Sequence, residues 1–156
     1  MLSLDHEFPG VSRAADHGFR PVVVHGLAGA RTPDPYAKGG LAPWQVRKVA
    51  AHVEANLDHP VGVGELASLA RLSVSQFSRA FKQSFGQAPH NYVMARRIAR
   101  AQALMLGDRE PLSQIAIAVG LADQAHLSKL FRRFIGQTPR AWRRAHWDEP
   151  ALALAA

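Results

Sequence analysis

A chain of 156 residues, 47% of them hydrophobic, holds one ordinary domain or two small lobes around a packed core. Its net charge of +7 and isoelectric point near 10.8 favour an acidic partner, most commonly nucleic acid. With no cysteine there is no disulfide framework, thiolate zinc site or thiol nucleophile, no apolar run approaches the ~20 residues of a membrane span, and the start MLSLDHEFPG lacks the features of a signal peptide, so the expected location is the cytoplasm.

Residues 1–40 are broken by Pro9, Pro21, Pro33 and Pro35 and balance Asp5, Glu7, Asp16 and Asp34 against Arg13, Arg20, Arg31 and Lys38. That is the composition of a mostly irregular arm or linker. Only PVVVHGL at 21–27 reads as a strand, and one strand without partners is not independently stable. The texture changes at Leu41. Trp44, Val49, Ala50, Val53 and Leu57, with Val46 or Arg47, fall on helical spacing between Pro43 in the first turn and Pro60 past the end, which predicts a first helix.

A helix-turn-helix follows at about residues 63–86. Leu66, Leu69 and Ala70 form an apolar stripe, Arg71-Leu72-Ser73-Val74 makes the turn, and Phe77, Ala80, Phe81 and Phe85 form a second stripe. Ser73 or Ser75 can cap the second helix, Gly86 ends it where a left-handed residue is needed, and Pro89 opens the next with its preset φ. That next helix is long, about residues 90–106, with Tyr92, Ala95, Ile98, Ala99, Ala101, Leu104 and Met105 as its apolar side and Arg96, Arg97 and Arg100 as its basic side. At about residues 112–136 the pattern returns, with Ile115, Ala118 and Val119, the turn Gly120-Leu121-Ala122-Asp123, then Leu127, Leu130, Phe131 and Phe134, closing at Gly136 and Pro139. Residues 148–156 have the composition of a disordered tail.

The two helix-turn-helix stretches are one sequence used twice at a period of about 50 residues. Leu66 pairs with Ile115, Ala67 with Ala116 and Leu72 with Leu121; after one inserted residue Ser78 pairs with Ser128, Phe81 with Phe131, Gly86 with Gly136, Gln87 with Gln137, Pro89 with Pro139 and Tyr92 with Trp142. Residues 41–147 carry 15 Lys and Arg against 6 Asp and Glu, a net charge of +9, so the positive field belongs to the repeated body. Arg79 and Lys82, then Lys129, Arg132 and Arg133, fall on the second helix of each unit. There they suit a helix that enters the major groove, reaching base edges while neighbouring cations meet phosphates.

The ordered set of two helix-turn-helix units, the extra residue in the second turn, the long helix between them and the endings FGQAP and IGQTP resembles the DNA-binding domain of the AraC/XylS class of bacterial transcription regulators. The resemblance covers roughly two-thirds of the chain, residues 41–147. It implies an all-α fold of about seven helices in two lobes joined by a long linker helix, with both recognition helices on one face of promoter DNA. Carried over by position, the base-facing residues are Ser75, Gln76, Ser78 and Arg79 in the first unit and Gln124, Ala125, His126 and Lys129 in the second, with Lys82, Arg96, Arg132 and Arg133 at phosphates. Arg79 and Gln124 are the strongest base readers, since Arg suits guanine and Gln suits adenine. The implied partners are double-stranded promoter or operator DNA and RNA polymerase, with binding as a monomer and no cofactor.

Two features depart from the family pattern. The first unit has Arg71 where the family usually places the glycine seen at Gly120, at a cost on the order of 1 kcal/mol for a left-handed non-glycine. Family members commonly carry a sensor and dimerisation domain ahead of the DNA-binding part, whereas about forty residues precede it here and cannot enclose a ligand cavity of ~300 Å³. The expectation is a short regulator controlled by its own abundance.

Other features have plainer readings. The phenylalanines are expected in the core, Trp44 and Trp142 at the ends of the lobes, and Ser73, Ser75 and Ser113 as caps. Arg96, Arg97 and Arg100 are either a solvated helix face or phosphate contacts. The scattered histidines contain no metal-binding pair, and no phosphate-binding loop, carboxylate pair or nucleophile constellation points to an enzyme. The alternative function is a helical protein-interaction module that binds RNA polymerase or another regulator without reading DNA.

Overall fold

The structure, a computed structural model, describes residues 33–107 and 109–147. Seven helices follow one another in these residues, with no strand among them: α1 (Pro43–Ala55), α2 (Val63–Leu69), α3 (Val74–Phe85), α4 (Pro89–Gly107), α5 (Leu112–Ala118), α6 (Gln124–Ile135) and α7 (Pro139–Trp147). The all-α arrangement of two helix-turn-helix lobes about a long helix is therefore the observed one. The strand expected at 21–27 and the tail at 148–156 lie outside the described residues. None of these helices is long and apolar enough to cross a membrane.

Local rules account for most helix boundaries. α1 starts on Pro43, whose missing N–H costs nothing there. Gln45 ties that start to the end of α2: its Oε1 accepts from Ala42 N at 2.8 Å and its Nε2 donates to Ala70 O at 2.6 Å. Gly86 and Gly136 close α3 and α6 with φ of +69° and +84°. Ser113, expected as a cap, instead lies inside α5, whose N-cap is Pro111. A proline fixed in the extended region already ends the preceding segment, and the serine falls into the first turn.

The core runs through both lobes without a break. Val46, Val49 and Val53 of α1 are buried with Leu57, while Trp44 is 43% exposed and does not pack an end of the lobe as expected. Two residues along a helix is ~200° of rotation, so Trp44 points away from the stripe that Val46 begins. Phe81 stacks on Phe85 at 4.0 Å between ring centroids, and Tyr92 of α4 meets both edge-on at 5.6 and 4.7 Å. In the second lobe Trp142 of α7 meets Phe131 edge-on at 5.8 Å. Each such ring buried away from water contributes ~1.5–3 kcal/mol.

The long helix α4 contacts α3, α5, α6 and α7. Its buried residues include Tyr92, Val93, Met94, Ala95, Arg97, Ile98, Ala101, Gln102 and Met105, so burial extends around most of its circumference. The expected division into an apolar side and a basic side is thereby corrected, since Arg97 is 7% exposed. A helix packed on several faces by its neighbours has little solvated face to give.

Candidate nucleic-acid interface

Each unit turns by the same hydrogen-bond pattern. Leu72 N donates to Ala67 O at 3.0 Å and Arg71 N to Ser68 O at 3.0 Å; Leu121 N donates to Ala116 O at 2.9 Å and Gly120 N to Ile117 O at 2.9 Å. This is the Schellman closure, which requires a left-handed residue at its centre. Arg71 supplies it with φ +57° and Gly120 with φ +75°, and Arg71 is the only non-glycine with positive φ among the described residues.

The turn launches α3 and α6 with their apolar faces inward, burying Phe77, Phe81, Ser84 and Phe85 in one and Leu127, Leu130, Phe131 and Phe134 in the other. What remains outside is the set expected to meet DNA. Ser75, Gln76, Arg79 and Lys82 are exposed and Ser78 is half-buried; Gln124, Ala125, His126, Lys129, Arg132 and Arg133 are all exposed. Ala125, Ser128, Lys129, Arg132 and Arg133 line one open groove along α6. On α3, Gln76, Arg79, Ala80 and Gln83 line another open groove together with Lys38 and Gly39. Lys38 and Gly39 come from the segment that reads as irregular, and with Gln83 they lie outside the set of residues expected to face DNA.

The caps of the two helices differ. Ser73 Oγ accepts from Gln76 N at 3.3 Å, while Gln76 Oε1 accepts from Ser73 N at 3.3 Å and from Ser73 Oγ at 2.9 Å, a reciprocal capping box. The side-chain oxygen of a residue expected to face bases is thus already a cap. In α6, Asp123 Oδ1 accepts from His126 N at 2.7 Å, and Gln124 takes no part.

The arginines of α4 divide into different roles. Arg96 donates from Nε to Glu54 Oε1 of α1, an ion pair; burial opposes its charge, and the hydrogen bond to Glu54, the Glu54 charge and Tyr92 together outweigh that, holding its pKa above the ordinary value. A cation matched in this way has less charge to offer a phosphate than the other three expected there. Arg97 donates from Nη1 to Gly120 O at 2.9 Å and from Nη2 to His59 O at 2.7 Å, with burial pushing its pKa down. It therefore clamps the second unit's turn to the chain just past α1. Arg133 reaches Asn91 Oδ1 at 3.5 Å and lies 5.5 Å over the Phe134 ring, whereas Arg79, Lys82, Lys129 and Arg132 have no ion-pair partner among the described residues.

A family model described as a helix-turn-helix domain matches residues 66–145, just over half of the chain. The chain belongs to the AraC/XylS family of transcription regulators. Among curated proteins, this AraC/XylS-family chain is 32% identical over 140 residues to the helix-turn-helix-type transcriptional regulator ArgR of Pseudomonas aeruginosa, covering 90% of this chain and 42% of that protein. It is 39% identical over 88 residues to the probable transcriptional regulator LumQ of Photobacterium leiognathi, covering 56% of this chain and 36% of that one. It thus spans less than half the length of these relatives. Similar solved structures include an AraC-type regulator from Chromobacterium violaceum (TM-score 0.61, 29% identity, 64% of this chain and 89% of that one), and the DNA-binding domain of AdpA in complex with a target DNA (TM-score 0.62, 28% identity, 66% of this chain and 93% of that one).

Proposed function

We propose that this family member is a sequence-specific double-stranded DNA-binding transcription regulator whose α3 and α6 read successive major-groove segments of a promoter. The observation that carries the reading is the pair of capped helices, each buried on its aromatic or leucine face and presenting unpaired cations on the other, Arg79 and Lys82 on α3 and Lys129 and Arg132 on α6. The likeness to AdpA's domain, solved with DNA, supports the same use here.

In this reading residues 41–147 form the DNA-binding body, with units at about 63–86 and 112–136 around the helix at about 90–106, preceded by an arm at 1–40 and followed by a tail at 148–156. Arg79 and Lys129 suit guanine O6 and N7, Gln124 suits adenine, and Ser75, Ser78, Ala125 and His126 fill the remaining base-facing positions. Gln76 contributes through its amide nitrogen, since its oxygen caps α3. Lys82, Arg132 and Arg133 meet phosphates, with Arg96 a weaker contributor while paired to Glu54. One chain holds both units, so a monomer covers two segments about 34 Å apart; if the units sit closer, the DNA bends at a cost of roughly 1–6 kcal/mol. RNA polymerase is the protein partner, the cytoplasm the location, and no catalytic step is involved.

The test is selection of the bound fraction from randomised duplexes at two salt concentrations. The expected result is a bipartite motif spaced by about one helical turn with a steep salt dependence. Arg79→Ala and Lys129→Ala should each lose ~1–3 kcal/mol on that site and relax one position of the motif, while Arg132→Ala should weaken all sequences alike. Binding without an enriched motif would overturn sequence-specific reading. No binding at all would leave the protein-interaction module.

A further inference from the structure

The segment leading into α1 is fastened to the first recognition helix. Asp34 N donates to the backbone carbonyl of Ser84 at 2.8 Å, and Leu41 N donates to Oγ of the same serine at 2.8 Å, so one residue in the last turn of α3 holds both ends of a strap at 33–41. Ser84 is 3% exposed. Within the strap, Tyr36 N donates to Asp34 Oδ1 at 2.8 Å and Gly40 N to Ala37 O at 2.8 Å. Gly39 takes φ +73°, and Gly40 has no room for a side chain, since a Cβ there would sit 2.5 Å from Ser84 Oγ and 2.9 Å from Ala37 O. The strap is thus shaped and anchored without any ligand. It leaves Lys38 exposed, facing Gln76 and Arg79 of α3 across the open groove.

We infer that Lys38 contacts a DNA phosphate and that the strap at 33–41 is a third DNA-binding element beside the two recognition helices. The inference rests on the DNA-binding reading of α3. A helix is ~10–12 Å across with its side chains and the major groove is ~12 Å wide, so α3 fills the groove and a segment flanking its exposed stripe meets the sugar–phosphate wall, not base edges. Lysine suits that place: it is a compact point charge on a flexible stem, with no directional fork to satisfy. Lys38 has no ion-pair partner among the described residues, and the strap's one carboxylate, on Asp34, accepts from Tyr36 N. Because the strap is already hydrogen-bonded to α3, its backbone need not be ordered when DNA arrives, which spares the complex that entropic cost.

The test is a fluorescence-anisotropy titration of the whole chain against its selected duplex and a scrambled duplex, between about 50 and 200 mM salt. Lys38→Ala should weaken both duplexes by the same several-fold factor and lower the slope of log K against log salt by ~0.9, the value of one phosphate contact. Lys38→Arg should restore both. If Lys38→Ala changes neither affinity nor slope while Arg132→Ala still lowers them, the strap is not part of the interface and the DNA-binding reading stands without it. A loss confined to the selected duplex would also overturn the phosphate assignment. Failure of the unaltered chain to bind either duplex would remove the DNA-binding reading and the strap's role with it.

Discussion

The first unit turns on Arg71 and the second on Gly120, with φ of +57° and +75° and matching hydrogen bonds on either side. The surroundings of the two residues differ entirely. Arg71 is exposed. Gly120 is crossed by another part of the chain: a Cβ there would collide with Leu57 O and lie 3.0 Å from the Asp58 carbonyl carbon and 3.1 Å from Arg97 Nη2. A left-handed backbone alone tolerates a side chain at a cost of ~1–2 kcal/mol, whereas a left-handed backbone pressed against a neighbouring stretch of chain does not. Gly120 is required by the approach of Leu57 and Asp58 as much as by its own dihedral angle, which is why the first unit can dispense with its glycine and the second cannot.

The two turns should differ most in their response to substitution at Gly120. Gly120→Ala should destabilise the protein by about 2–4 kcal/mol, joining left-handed strain to a forced shift of packed backbone, while Arg71→Ala should fall within ~0.5 kcal/mol of the parent. Urea unfolding of both variants measures this, and a loss at Gly120→Ala of only ~1 kcal/mol, the cost of left-handed strain by itself, would mean that φ alone sets the requirement. Arg97→Met comes next. It fills similar space but leaves Gly120 O and His59 O without their donor, for an expected loss of about 2–3 kcal/mol. Its binding to a two-part site should fall more than its binding to a single half-site, because the clamp joins the second unit to the first lobe. An equal fall on both sites would assign Arg97 to stability only. The smallest effect is a gain: Arg71→Gly relieves the strain, offset in part by glycine's greater freedom when unfolded, for a net stabilisation of ~0.5 kcal/mol and a melting temperature ~2 °C higher. A loss there would show that the arginine side chain contributes something its exposed position does not reveal.

Much of this fold is legible in the amino-acid sequence because its signals are local. Pro43, Ser73, Pro89 and Pro139 start helices and Gly86 and Gly136 end them within a few residues of their own hydrogen bonds, and the phenylalanines declare their inward face by a period of 3.6. The strain at Arg71 follows from its alignment with Gly120. Arg97 is not legible: its spacing groups it with Arg96 and Arg100, and the carbonyls that hold it lie 38 and 23 residues away in sequence. The ion pair of Arg96 is hidden for the same reason, since Glu54 is 42 residues distant. The strap at 33–41 is fixed by one serine in another helix, and no periodicity announces a carbonyl acceptor. Gln76 is a different kind of miss, because Ser73-Val74-Ser75-Gln76 is itself a capping-box signature, readable without any long-range contact.

That capping box bears on how the binding preference of such a protein can change over generations. At Gln76 one side chain supplies half of the capping box and faces outward, so a substitution that retunes what the first unit recognises also gives up the Gln76 Oε1 bonds to Ser73, while Ser73 Oγ keeps its bond to the N–H of residue 76. In the second unit the two duties are separated: Asp123 closes α6, and Gln124 beside it is free of that task. If α3 and α6 read DNA as proposed, mutational drift in target preference meets less resistance through α6 than through α3, and the second half of a recognised site is the half expected to diverge first.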